Sequence, residues 1–262
     1  MRVNETVTWQ QWTGWEPRTG ASLANMHQTA VLFGGRNEFN NVTNDLSLYD
    51  EEHGWYTPSK WSEAPRARSG HGIAVSGPYM YMFGGKDEND TILNDFWQLQ
   101  LITTPGNPLF QAVWRQLNLA NLPPARALHG MYAVGEVIFI TCGISSTGTS
   151  LKDTWVINTG TAVCKEVLSA PSARVALAAV ALDCDQSSCG SSPVQIAVYG
   201  GLPFGQQFDL FTPGRAHDLL SSYLWDLFPL AVLLLAMLPF LVCVVFRRLC
   251  QKRTVRHSFA EL

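Results

Sequence analysis

Apolar and polar positions in this chain alternate in short runs, and the runs keep a fixed order. The clearest set starts at His71. His71 to Val75 is apolar, Ser76-Gly77-Pro78 is a turn, and Tyr79 to Phe83 is a second apolar run ending in Gly84-Gly85. A polar loop from Lys86 to Asn94 follows, then a run from Asp95 to Leu101 and another around Trp114. Short β-rich runs punctuated by Gly, Pro, Asn and Asp predict four antiparallel strands in an all-β fold.

The set repeats. Gly34-Gly35 precedes Ser47 by the same thirteen residues that separate Gly84-Gly85 from Trp97 and Cys142-Gly143 from Trp155. An acid stands two residues before each of these strand positions: Asp45, Asp95 and Asp153. Gly200-Gly201 is a fourth, weaker echo. A period of 50 to 58 residues, read from these pairs, predicts repeat architecture. The glycine pair suits a sharp turn beside a neighbouring repeat, because glycine tolerates positive φ and close backbone approach. The aromatic after the loop suits the wedge between two packed sheets.

The outer copies depart from this pattern. In the first, His27 lies seven residues before Gly34 and Ala24 falls in the arginine position, so its first two strands are expected to be fused. The fourth keeps Arg174 but has Leu177 in the histidine position. It also carries an insertion with Cys184 and Cys189, and no third strand is recognisable after Gly201. Thr8 to Trp12 reads as an orphan fourth strand.

These residues resemble the kelch motif. The second copy shows Pro65, Arg68, His71, Gly84, Gly85, Asn94, Asp95, Trp97 and Trp114, and the third shows Pro124, Arg126, His129, Gly143, Asp153 and Trp155. The resemblance covers residues 1–211. It implies a kelch-type β-propeller with a binding face, and only weakly implies an activity. Repeats at 18–60, 61–119, 120–168 and 169–211 give about four blades, two of them degenerate. Kelch rings usually need five to seven blades, so the expectation is an open array, a ring completed by self-association, or the shortened product of a longer ancestor. The galactose-oxidase branch of the fold holds copper with two tyrosines, two histidines and a Tyr-Cys crosslink. That set maps onto no positions here. A non-enzymatic protein without a cofactor is expected, with a galactose-oxidase-like membrane enzyme or a truncated relic as the alternatives.

The hydropathy pattern changes past residue 211. Leu227 to Phe246 is twenty residues without a charge, enough for a helix of about 30 Å, the thickness of a hydrocarbon core. Tyr223 and Trp225 precede it as interfacial anchors, and Arg247-Arg248 ends it. Pro229 sits near its entry, and Pro239 is expected to kink it. The reading is a stalk at 212–226, a single-pass transmembrane helix at 227–246 and a basic tail at 247–262. Five of the 18 basic residues and one of the 21 acids lie in that tail, leaving net −7 elsewhere against +4 there. A basic flank predicts a cytoplasmic tail, and hence a luminal or extracellular propeller. Cys250 beside it is a candidate for palmitoylation. No apolar h-region follows Met1, so the preferred expectation is a type I protein whose start lies upstream; the alternative is a tail-anchored chain with a cytosolic propeller.

Little else carries chemistry. Cys184 and Cys189 are a candidate disulfide, and Asn4, Asn41 and Asn89 head N-x-S/T sequons. Zinc spacings, phosphate-cradling glycine loops and a nucleophile elbow are all missing, so no catalytic or metal residue is assigned. The acidic balance of the propeller disfavours nucleic acid. Loops 36–44, 86–94 and 145–152 are expected to share one face and to bind a protein or glycan partner.

Overall fold

Among the described residues the apolar runs become strands and the breaks between them become turns and loops. The computed structural model describes residues 17–58, 63–170, 172–182, 195–202 and 208–211. The first sheet is β1 (Ser22–Met26), β2 (Thr29–Phe33), β3 (Leu46–Asp50) and β4 (Gly54–Tyr56), antiparallel in that order. The second is β5 (Gly72–Ser76), β6 (Tyr79–Phe83), β7 (Phe96–Thr104) and β8 (Asn107–Gln116). A short strand β9 (Arg126–Ala127) precedes the third sheet. That sheet holds β10 (Gly130–Val134), β11 (Val137–Thr141), β13 (Asp153–Asn158) and β14 (Val163–Ser169), while β12 (Ile144–Ser145) pairs with β9. The fourth is β15 (Val175–Leu182), β16 (Gln195–Leu202) and β17 (Phe208–Phe211).

Consecutive sheets pack face to face. Met26, Val31, Phe33 and Leu48 of the first bury against Met80, Met82, Trp97, Leu99 and Trp114 of the second. The Phe33 and Trp114 rings lie 5.1 Å apart. Ala74, Tyr81, Phe83 and Phe96 meet Met131, Ile138, Ile140 and Ile157 across the next seam. Full burial of one such side chain contributes about 1.5–3 kcal/mol, so these seams are the main source of cohesion. The innermost strands pack in succession, β1 on β5, β5 on β10 and β10 on β15. Among the described residues β15 does not pack back on β1 in the same way.

Two expectations are corrected here. The first copy is not fused: β1 and β2 are separate strands joined by His27 and Gln28, both left-handed with φ of 52° and 66°. This puts His27 in a hairpin turn and Ala24 within β1, neither in the repeat slot assigned from spacing. The fourth copy does have a third strand, because β17 pairs with β16 through Phe208↔Tyr199 and Phe211↔Ile196.

Among the described residues no helix is long and apolar enough to cross a membrane. The segment 227–246, the stalk and tail, Asn4, the strand expected at Thr8–Trp12, Cys184, Cys189 and Cys250 all lie outside the described residues.

Candidate functional site

One hydrogen-bond pattern builds the loop end of three blades. The turn after the second strand places Gly34, Gly84 and Cys142 at φ of 64°, 63° and 62°, and Gly35, Gly85 and Gly143 at 96°, 99° and 101°. The first residue donates its N–H to the acid's carbonyl: Gly34 to Asp45, Gly84 to Asp95, Cys142 to Asp153. The second donates to the arginine carbonyl of the next blade: Gly35 to Arg68, Gly85 to Arg126, Gly143 to Arg174. A Cβ on Gly85 would stand 2.9 Å from the His71 Cβ, which is why the second glycine is kept in every copy.

The acids and arginines noted separately in the sequence are partners. Arg68 and Arg126 are wholly buried. Arg68 donates through Nη1 and Nη2 to the two Asp95 oxygens at 2.7 Å each. Arg126 does the same to Asp153 at 2.9 and 2.6 Å. Each Nη1 also donates to the carbonyl at the turn, Gly84 or Cys142. Trp97 and Trp155 donate their indole N–H to the same acids, both at 2.6 Å. Burial alone would raise the Asp95 and Asp153 carboxyls, but the arginine hydrogen bonds and charge, with the tryptophan, outweigh it and hold both below the usual range. The first blade has the same pair in Arg18 and Asp45, at 2.9 Å. Sequence reading missed Arg18, although it stands sixteen residues before Gly34 just as Arg68 stands sixteen before Gly84.

His71 and His129 sit edge-on to Phe33 and Phe83 of the preceding blade, with ring centroids 5.5 and 5.7 Å apart. Burial, then the neighbouring arginine charge, pushes both down to about 3, so both rings are neutral packing groups. Cys142 and Cys164 are buried free thiols. No cluster of three His, Cys, Asp or Glu suited to a metal occurs among the described residues.

The loops past these turns share a construction. Asn37 Oδ1 accepts from the Phe39 and Asn41 N–H groups, Asp87 Oδ1 from Asn89 and Thr91, and Ser145 Oγ from Thr149. Side-chain acceptors of this kind fix a loop locally. Asn41 and Asn89, the sequon residues, are exposed. So is Phe39, at 73 %.

The first two loops come together over a cleft of about 470 Å³. Its floor is Gly20, Gly70 and Leu128, which form a relay: Gly70 N–H to the Gly20 carbonyl, Leu128 N–H to the Gly70 carbonyl, and Ala176 N–H to the Leu128 carbonyl. Thr19, Ser69, Arg36, Asn40, Lys86 and Asp90 form the walls. Arg36 and Lys86 each follow a glycine pair. Arg36 bonds Asp90 at 2.6 Å, tying blade 1 to the loop of blade 2, whereas Lys86 has no carboxylate partner among the described residues. The third loop, at 145–152, has the same build one blade further on, with Ile144 in the cation's position.

Comparison with known proteins agrees with this geometry. The family model of the KLHDC2/KLHL20/DRC7 Kelch-repeats domain matches residues 4–191. Human Kelch domain-containing protein 3 is 36% identical over 114 residues, which are 40% of this chain and 29% of that protein. An F-box/kelch-repeat protein of Arabidopsis thaliana is 30% identical over 150 residues, 54% of this chain and 30% of its own length. Acyl-CoA-binding domain-containing protein 4 of the same plant is 26% identical over 226 residues, 84% of this chain and 32% of its own. The chain thus spans about a third or less of the length of these relatives. The repeated Arg-Asp-Trp sets, the paired turn glycines and a family match over more than half of its length make this chain a member of the kelch-repeat β-propeller family.

Proposed function

We propose that this kelch-repeat domain is a non-enzymatic binding module that takes a segment of a partner protein at the cleft between its first two loops. The observation that carries this reading is the wall of Arg36, Lys86, Thr19 and Ser69 over a backbone floor, with Phe39 exposed on the neighbouring loop. A few convergent polar groups in a cavity of several hundred Å³ are the general form of a recognition site. Lys86, whose charge has no carboxylate partner among the described residues while Arg36 is paired with Asp90, favours an acidic or acceptor-rich segment. A glycan, the other ligand class, would use the same hydroxyls and Asn40 but gains little from the cations. Kelch relatives that carry other named domains fit a propeller that supplies recognition. Residues 227–246 would hold this module to a membrane, with the basic tail in the cytoplasm.

The test is proximity labelling in cells with the intact chain and with the Arg36→Glu/Lys86→Glu variant. Labelled partners should fall to background in the variant. A Glu52→Lys control on the hairpin at the opposite end of blade 1 should keep them. Equal labelling by both variants would mean that recognition lies elsewhere on the chain.

A further inference from the structure

The three loops of this face are one backbone structure carrying different side chains. Asn37, Asp87 and Ser145 donate their N–H groups to the Asn41, Thr91 and Thr149 carbonyls. Their own carbonyls accept from Asn40, Asp90 and Gly148. Those three residues are all left-handed, with φ of 63°, 57° and 78°. The residue that enters each loop is bridged on both sides: Arg36 to Thr19 and Val42, Lys86 to Ser69 and Ile92, Ile144 to Ala127 and Ser150. The positions therefore correspond one to one. Arg36, Lys86 and Ile144 stand at the entry, and Asn40, Asp90 and Gly148 at the tip.

This correspondence shows where a charge is answered within the fold and where it is not. Arg36 reaches from the entry of the first loop to the tip of the second, where Asp90 takes it at 2.6 Å. One blade further, the same step leads from Lys86 to the tip of the third loop, and the residue there is Gly148. Residues 145–152 contain no Asp or Glu. In the loop of Lys86 itself, Asp90 is held by Arg36, and Asp87 by Arg66 and by the Asn89 and Thr91 amides. Glu88 is exposed and makes no ion pair among the described residues. Lys86 is half-buried and lines the cleft beside Ser69, Gly70 and Leu128. A charge in that position is screened less than one on the open surface.

We infer that the partner supplies what the third loop lacks: an Asp or Glu side chain set against Lys86 over Gly148, as Asp90 is set against Arg36. The inference rests on the reading of this cleft as a protein-binding site, and it assigns one position of the bound segment. The junction of blades 1 and 2 is closed by the chain's own acid, and the junction of blades 2 and 3 takes the partner's. Gly148 leaves room for it, since even a Cβ there would meet nothing within 4 Å. A phosphate, with nearly twice the charge, calls for a second cation. The entry positions on either side are Arg36, already paired, and Ile144. A single carboxylate matches a single ammonium.

Position 148 provides the experiment, because Asn40 and Asp90 show that this backbone accepts both Asn and Asp. Gly148→Asp should bring the acid into the fold and close the site, and Gly148→Asn, of the same shape, should leave it open. Two readouts apply to the full chain in detergent. Acetylation of Lys86 by acetic anhydride, read by peptide mapping, should slow at least about threefold in Gly148→Asp, the size of a modest ion pair. In Gly148→Asn it should keep the wild-type rate. A phage-displayed random-peptide library panned on the wild-type chain should yield peptides that share an Asp or Glu at one position. These should bind Gly148→Asp and Lys86→Gln at least about tenfold more weakly, a factor of about 1.4 kcal/mol, and Gly148→Asn as they bind wild type. The loss in Lys86→Gln is read even if Gly148→Asp does not fold. Equal Lys86 labelling in the Asp and Asn variants would overturn the inference, because the third tip would not reach Lys86. Peptides that are lost in Arg36→Glu/Lys86→Glu, yet share no acid or bind Gly148→Asp undiminished, would overturn it while the cleft reading stands. Peptides indifferent to Arg36→Glu/Lys86→Glu, or no peptides at all, would remove the cleft reading and this inference together.

Discussion

At the scale of single residues, the repeat is a device for burying a charge. Arg68 and Arg126 have no exposure, so each must find an anion and acceptors within its own blade. Asp95 and Asp153 supply the anion, the glycine-turn carbonyl accepts from Nη1, and the Arg66 and Pro124 carbonyls accept from Nε. Asp95→Asn should therefore cost about 3 kcal/mol, the lower end for a broken buried pair, because Asp95 itself is 20 % exposed. Asp45→Asn should cost under about 1 kcal/mol, because Asp45 is 56 % exposed and its pair is screened. Chemical denaturation of the two variants side by side checks the contrast. The histidines give a pH signature. Their folded values near 3 lie below the unfolded 6.5, so above pH 6.5 their titration adds no cost to the fold. As pH falls from 6.5 towards 3 the unfolded chain binds protons that the fold cannot, and each histidine removes about 1.4 kcal/mol per pH unit. At pH 5 that is about 2 kcal/mol for each. Blade 4 carries Leu177 in this slot. His129→Leu should accordingly raise the melting temperature at pH 5 relative to wild type while leaving the gap small at pH 7.5. The same gap at both pH values would mean that the histidine is not neutral in the fold.

At the scale of elements, the spacing of glycine pairs and strands was legible in the sequence because it is local. The hairpin of Gly77-Pro78 announces itself by composition, and so do the turns that end β6 and β11. The hairpin of blade 1 does not. His27-Gln28 forms a turn with two left-handed residues, a geometry that usually draws Asn-Gly, so the strands looked fused. Arg18 was overlooked for the same reason, since the slot was counted from the wrong histidine. The pairing of Arg68 with Asp95 spans 27 residues and has no local signature. Of the cleft, the sequence showed only the two loops expected to share a face, which supply Arg36, Asn40, Lys86 and Asp90; its floor comes from three blades and has no local signature. The element scale also ranks the glycines. Gly77 has φ of 56° and open space around a Cβ. Gly77→Ala should therefore cost only the left-handed strain of about 1–2 kcal/mol. Gly85→Ala adds a Cβ 2.9 Å from the His71 Cβ and 3.0 Å from the Ser69 carbonyl. It should destabilise by clearly more than Gly77→Ala, and hydrogen exchange of the Lys86 and Leu93 amides should rise with it. Equal costs would show that the blade can shift to admit a Cβ.

For the whole molecule, the loop face has to meet its partner in one compartment, and the sequence argues over which. The tail after residue 246 is net +4 and the remainder net −7; on the proposal that residues 227–246 span a membrane, that bias would keep the tail cytoplasmic and put the cleft on the far side. The buried free thiols Cys142 and Cys164 are neutral on the point, because a buried thiol stays reduced in either compartment when no second cysteine reaches it. Glycosylation discriminates. Asn41 and Asn89 are exposed on loops held open by Asn37 and Asp87, so the glycosylation machinery would reach both if the domain entered the secretory pathway. The intact chain expressed in cells should run larger on a gel than after treatment with an N-glycosidase. Asn41→Gln and Asn89→Gln should each remove one step of that shift, with any third step assigned to Asn4. A chain with no shift at all, still retained in the membrane fraction, would place the cleft and its partner in the cytosol.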